Sequence, residues 1–319
     1  MPHFSLVIIG SGSGNLVVPE DPAQGTVALI DSGAFGGTCV NRGCILSKIL
    51  IRTAELAAQV RHAPEFGIQA KLTGADWPAI RDRTFAKTGT VSAAGRGSQI
   101  EVAVSGGPPV TGELLLVAAG RVPDTADLDL DRAGVRLRED GRIEVDEYGR
   151  TTAEGIWSLG DASTPYPLKH VANAEARTLA HNLAFGDDLR PYPHDWVPAA
   201  VFTEPQIATV GAREQDLSRE CRYVTAVQEY ADVAYGWALQ DTTGFCKLYA
   251  DAASGTLLGA HIMGYQALLL IQPLVQAAAA GQRIADLARG QYWIHPALSE
   301  VVENALLKLP LEPAASPVG

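Results

Sequence analysis

Cys39 and Cys44 stand in a C-x4-C arrangement, and Lys48 follows four residues after the second cysteine. Residues 45–62 read as an amphipathic helix, with Ile45, Ile49, Thr53, Leu56 and Val60 on one face. Cys44 therefore stands at a helix N-terminus, where unpaired N–H groups and the macrodipole stabilise a thiolate. That is the setting a nucleophilic or electron-carrying thiol requires. The bland alternative is two buried free cysteines; a metal site needs more His or Cys ligands at short spacing, which this neighbourhood lacks. Far along the chain, His295 and Glu300 lie five residues apart across a His-Pro turn into a helix. A carboxylate bonded to one ring nitrogen fixes the tautomer and raises the basicity of the other, so the pair is a candidate proton shuttle for a thiol. In isolation such a His-Pro is more simply a cap or a turn. His170 and His261 read as structural, and Cys221 and Cys246 as core or surface cysteines.

These side chains need a scaffold. Residues 4–9 (FSLVII) form a short apolar run, as expected of a buried parallel strand, that stops at Gly10-Ser11-Gly12-Ser13-Gly14-Asn15. A second strand, residues 26–30, ends in Asp31, about 20 residues after the glycines, the spacing at which a carboxylate grips a ribose hydroxyl in a dinucleotide fold. Asn15 occupies the third glycine position, and Pro19 and Pro22 leave room only for a short irregular crossover. Taken alone, the motif is a glycine-rich turn as readily as a cofactor cradle. Residues 113–118 and 155–159 read as further buried strands, ending at Gly120-Arg121 and Gly160-Asp161. Beyond Val197 the candidates turn antiparallel, at residues 200–202, 207–211, 222–230, 245–250 and 256–263, with helices at 267–280 and 298–307. The Pro-rich stretch 187–198 is the best linker. The expected fold class is α/β: a Rossmann-like domain over residues 1–190 and an α+β domain over 191–319.

Length and charge narrow the function classes. The 319 residues suffice for about two domains, which rules out a small disulfide scaffold. With 47% hydrophobic and 19% charged residues the chain is neither disordered nor a coiled coil. The 25 basic and 36 acidic residues give a net charge of −11, which excludes a nucleic-acid footprint or an anionic-membrane patch. No secretory signal opens the sequence, and the longest apolar stretch, 267–280, is broken by Gln272, Pro273 and Gln276. A soluble cytoplasmic protein is expected.

Gly36-Gly37-Thr38-Cys39-Val40-Asn41-Arg42-Gly43-Cys44 with Ser47-Lys48, together with residues 295–300 (HPALSE), resembles the signatures of the pyridine nucleotide-disulfide oxidoreductases. Leu46 stands where that family usually has a proline. Residues 168–177, 235–244 and 288–306 extend the resemblance toward members that reduce a low-molecular-weight thiol disulfide. It implies a three-layer β/β/α FAD-binding domain and a dimerisation domain. It implies that Gly10, Gly12 and Gly14 lie on the FAD pyrophosphate and Asp31 on the adenosine ribose. Thr38 and Lys48 would lie near the isoalloxazine, with Gly120 and Asp161 on the cofactor as well. Cys44 becomes the flavin-side thiol and Cys39 the thiol that attacks substrate. His295, held by Glu300, becomes the acid-base, reaching the site from the other subunit of a homodimer.

The resemblance also implies NADPH as electron donor, bound by a second Rossmann domain. Here residues 86–110 join the two halves of the FAD domain directly, and a βαβ unit needs about 30 residues or more. Only residues 98–104 resemble a strand of that domain. Two readings follow: an FAD-dependent disulfide oxidoreductase with doubtful NADPH activity of its own, or a non-catalytic flavin-binding or dimerising remnant.

Overall fold

Leu6–Ile9 (β1) and Val27–Ile30 (β2) pair in parallel, with Leu6 opposite Val27 and Ile9 opposite Ile30. Leucine, valine and isoleucine suit such a pleated apolar surface. The computed structural model describes residues 3–19, 25–86, 100–103, 105–112, 120–217 and 222–311. The strand expected at 113–118, and Cys221, lie outside the described residues. The chain divides into two compact units, Met1–Pro193 and His194–Gly319.

In the first unit a 3-10 turn, Ser13–Val17, follows β1, and the backbone is extended at Val18 before Pro19. Next come Gly37–Asn41 (α1) and Cys44–His62 (α2), the second matching the helix the periodicity predicts. Trp77–Phe85 (α3) begins where the Asp76 side chain accepts the Ala79 N–H at 3.1 Å, with Pro78 in the first turn. The described part of the join between the halves is an antiparallel hairpin of Ile100–Val102 (β3) and Val110–Gly112 (β4).

Residues 155–159 are not a strand. Only Trp157 makes an isolated bridge, to Arg150, because the segment's backbone bonds go to the preceding turn: Ser158 N–H to Gly149 O and Thr151 N–H to Ile156 O, both at 2.9 Å. Lys169–Ala184 (α4) closes the unit's core, with Ala176 and Leu179 packed against Ile8 of β1, Val17 and Tyr192.

The second unit is a five-stranded antiparallel sheet. Ala199–Val201 (β5), Gln206–Gly211 (β6), Tyr223–Glu229 (β7), Phe245–Asp251 (β8) and Leu257–Gly264 (β9) lie in the order β5-β6-β9-β8-β7. A short helix, Ala234–Ala238 (α5), links β7 to β8. The single helix expected over 267–280 is instead two, Ala267–Leu270 (α6) and Gln272–Ala279 (α7). Pro273 cannot donate to the preceding turn and so begins a new helix. Ile284–Arg289 (α8) and Ser299–Lys308 (α9) follow. Leu248 and Ile262 on the sheet, with Leu274, Val301 and Val302 on the helices, are fully buried, each worth about 1.5–3 kcal/mol of apolar transfer. Among the described residues no helix is long and apolar enough to cross a membrane.

Candidate active site

The glycine turn is tied to the end of β2 by one buried hydroxyl. The Ser11 N–H and Oγ donate to Asp31 Oδ2 at 2.9 and 2.5 Å, and the same Oγ accepts the Gly36 N–H at 2.8 Å. Gly33 N–H donates to Asp31 Oδ1 at 2.9 Å. Led by the Ser11 hydroxyl, these donors hold the Asp31 carboxyl below its usual range. Gly10 adopts φ +94° and donates to Ile30 O at 2.8 Å, which turns the chain sharply off β1.

The three glycines differ in their surroundings. A side chain at Gly10 or Gly12 would meet no protein atom within 4 Å, whereas a Cβ at Gly14 would lie 3.0 Å from Ile8 Cγ2. The first two border open space that a dinucleotide's pyrophosphate fits; Gly14 serves close packing on β1.

The cysteines are set beside this turn by backbone contact. Gly37 has φ +64°, and a Cβ there would fall 2.6 Å from Gly12 Cα, so the start of α1 rests directly on the turn. Thr38 and Cys39 lie on α1; a tight return through Arg42 and Gly43 brings Cys44 to the first position of α2. Asn41 Nδ2 braces the loop on Ala34 O at 2.8 Å. Both thiols are free and half-buried, and close enough to influence each other electrostatically. Burial first, and then the Cys44 sulfur, push the Cys39 thiol up to about 11, against the pull of the Lys169 ammonium. Lys48, one turn into α2, lies 3.5 Å from Ser47 Oγ, which itself donates to Cys44 O at 3.0 Å.

Asp161 and Gly120 come from later loops. Gly120 has φ +99°, and the neighbouring Arg121 guanidinium pairs with Asp161 at 2.5 Å. Asp161 sits on the turn Gly160–Ala162, held by the buried Glu175 of α4, whose Oε2 accepts the Gly160 N–H at 2.6 Å. The same helix reaches the glycine turn. Lys169 Nζ donates to Ser13 Oγ at 2.7 Å, and Ser13 Oγ donates to Asn173 Oδ1 at 3.0 Å. Ser11, Lys169, Asn173, Glu175 and Arg121 are thus residues that motif spacing did not single out.

The second unit carries the imidazole. His295 Nδ1 is 2.8 Å from Glu300 Oε1, and Ala297 N–H donates to Glu300 Oε2 at 3.3 Å. The buried Leu298, Val301 and Val302 anchor α9, while the His295 side chain is 70% exposed. Nδ1 is thereby the engaged nitrogen and Nε2 the one left to move a proton. His261 is spent on Thr209 Oγ1 and Ala212 O, at 2.7 and 3.1 Å. Cys246 lies fully buried in β8, where burial pushes its thiol up.

The chain is similar to known proteins along most of its length. Residues 197–306 match the family described as pyridine nucleotide-disulphide oxidoreductase, dimerisation domain, and residues 80–177 match pyridine nucleotide-disulphide oxidoreductase. Mycothione reductase of Mycobacterium tuberculosis is 34% identical, the alignment covering 97% of this chain and 100% of the relative. Dihydrolipoyl dehydrogenase of Mycobacterium bovis is 29% identical over 94% of this chain and 68% of the relative. Among solved structures, the HOCl-induced flavoprotein disulfide reductase RclA from Escherichia coli superposes with a TM-score of 0.75 at 19% identity, over 95% of this chain and 99% of that one. LpdA from Mycobacterium tuberculosis gives 0.61 at 24% identity, over 95% of this chain and 61% of that one. Both structures bear on the fold alone. The mycothione reductase alignment runs to 459 positions against a chain of 319 residues, so at least 140 positions, 459 less 319, face no residue here.

Proposed function

The chain belongs to the pyridine nucleotide-disulphide oxidoreductase family, and we propose that it acts there as an FAD-dependent reductase of a low-molecular-weight thiol disulfide, of the mycothione type. The observation that carries this reading is the Cys39/Cys44 pair, two free half-buried thiols on α1 and at the start of α2, with α1 resting against the glycine turn. FAD, when bound, supplies a two-electron carrier beside that pair. The open space at Gly10 and Gly12 fits its pyrophosphate, and Asp31, Thr38, Lys48, Gly120 and Asp161 are the further residues assigned to hold it.

Cys39 is the nucleophile toward substrate. With its thiol raised to about 11, it is almost wholly protonated at neutral pH and needs a base. His295 Nε2, its ring fixed by Glu300, takes that proton as Cys39 attacks one sulfur of the disulfide, and returns it to the departing thiolate. Cys44 then attacks the Cys39 sulfur of the mixed disulfide, releasing the second thiol and leaving Cys39 and Cys44 joined. By analogy with the family, His295 is assigned to the other subunit of a homodimer, in keeping with the dimerisation-domain match over residues 197–306.

The unmatched 140 or more positions support a second feature. The NADPH domain of the family is missing at the join near residues 86–110, so the donor that reduces this protein is not bound as in complete relatives. The test is reconstitution with FAD, gel filtration, and anaerobic titration with dithionite. Flavin that co-elutes and takes up about two further electrons per chain into Cys39 and Cys44 is the expected result. No retained flavin, or the same electron count in Cys39→Ser and Cys44→Ser, overturns the reading in favour of a non-catalytic remnant.

A further inference from the structure

We propose that Lys169 is a cofactor-binding residue, its ammonium docked on the Ser13 hydroxyl of the glycine turn so as to neutralise the pyrophosphate of the bound dinucleotide. This rests on the reading that the turn holds FAD. In a dinucleotide fold the phosphates face the N-terminus of the crossover α-helix, whose aligned peptides present about half a positive charge. Here residues 13–17 form only a 3-10 turn, and Val18 is already extended. So short a turn aligns too few peptides to do the work of a full helix, and two phosphate charges call for a counter-charge from elsewhere in the unit.

The α4 helix brings one. Lys169 Nζ donates to Ser13 Oγ at 2.7 Å, and that hydroxyl in turn donates to Asn173 Oδ1 at 3.0 Å. Lys169 and Asn173 are four residues apart, hence on one helix face, and converge on a hydroxyl more than 150 residues away in sequence. Ser13 is only 8% exposed. It stands next to Gly12, whose missing side chain leaves open space. The same ammonium also pulls the Cys39 thiol down, so its charge is felt on this side of the turn as well. Arg121, another cation of these loops, is taken up by Asp161. A lysine is a point charge on a flexible stem, so exchanging a hydroxyl for a phosphate oxygen requires no movement of α4.

The test is titration of the apo-protein with FAD, followed by flavin fluorescence at low and high NaCl, for the wild type, Lys169→Gln and Lys169→Arg. Loss of one charge-assisted bond predicts an affinity weaker by about tenfold or more in Lys169→Gln, with Lys169→Arg close to the wild type. Salt screens the wild-type interaction, so its affinity falls with NaCl, and the fall is shallower in Lys169→Gln. A purely structural role for Lys169 leaves that salt dependence unchanged. Affinity in Lys169→Gln within about threefold of the wild type overturns the proposal, as does an equal salt dependence. If Lys169→Gln does not fold, the wild type alone decides: FAD affinity indifferent to NaCl sinks the proposal. Wild-type protein that takes up no FAD at all is a different result, since it removes the cofactor reading itself.

Discussion

At the Cys39 sulfur, burial and the neighbouring thiol outweigh the attraction of the Lys169 ammonium. The reactive thiolate is therefore scarce at neutral pH. Alkylation of Cys39 in the reduced protein should speed up about tenfold per pH unit and level off only near pH 11; mass-spectrometric rates that level off below pH 9 contradict this. The same shift has a stability consequence. A thiol raised in the folded state favours folding fully below pH about 9, and that contribution is lost as pH rises through about 11. Alkaline melts of Cys39→Ser should lack this component. At the proposed acid-base, Glu300→Gln removes the carboxylate from His295 Nδ1. His295 is exposed, but the Glu300 side chain is only 17% exposed and also accepts the Ala297 N–H, so a loss of stability of about 1–3 kcal/mol is expected. The rate of disulfide exchange should fall by about 100-fold or more if the imidazole is the acid-base. Unchanged exchange with an unchanged pH profile removes His295 from the mechanism. Both pairs were legible in the sequence because each is a matter of local spacing, five residues in either case. Ser11, Lys169 and Glu175 were not: they act over separations of 20, 156 and 15 residues, through residue types found on every surface.

The elements were legible in proportion to how regular their apolar patterns are. The α2 helix and the strands β5 to β9 follow from period and alternation alone. The α4 helix escaped notice because its buried stripe, Val171, Ala172, Glu175, Ala176, Leu179 and Asn182, contains two polar residues whose partners lie outside the helix. Residues 155–159 show the converse, an apolar run whose backbone bonds go to the preceding turn. What no pattern reveals is the contact of α1 with the glycine turn. Gly37 combines φ +64° with a Cβ position 2.6 Å from Gly12 Cα, so Gly37→Ala must push the two loops apart. A cost of about 1–3 kcal/mol is expected in urea unfolding, together with slower closure of the Cys39–Cys44 disulfide. Ser11→Ala tests the neighbouring link. It deprives Asp31 of a buried donor and Gly36 of its acceptor, with a loss of about 1.5–3 kcal/mol. Wild-type stability in both variants would mean that the turn and the thiol loop are held by something else.

On the scale of the whole molecule, the second unit carries the family's dimerisation domain, while at least 140 positions of a relative that is 34% identical have no counterpart. Assembly and electron entry are thus separable questions. A dimer by light scattering, twice 33.7 kDa, is expected whether or not a nicotinamide can bind, because the matched residues 197–306 lie outside the join near 86–110. Electron entry is where the shortening should tell. Transfer from a nicotinamide requires its ring to be held at about 3–3.5 Å from its acceptor, and orientation of this kind supplies about 7–11 kcal/mol of barrier reduction when it is complete. In the first unit the described part of the join is the hairpin of β3 and β4, which contains no glycine-rich strand-to-helix turn that could cradle a second dinucleotide. NADPH should therefore reduce the FAD-loaded protein at a rate proportional to its concentration, without saturation, and slowly. Dithionite, which needs no binding site, should reduce the same protein fully and pass electrons on to Cys39 and Cys44. Stopped-flow absorbance distinguishes the cases. Rates that saturate at micromolar NADPH would require a nicotinamide site outside the described residues or on a partner protein, and would break the inference from missing length to missing donor site.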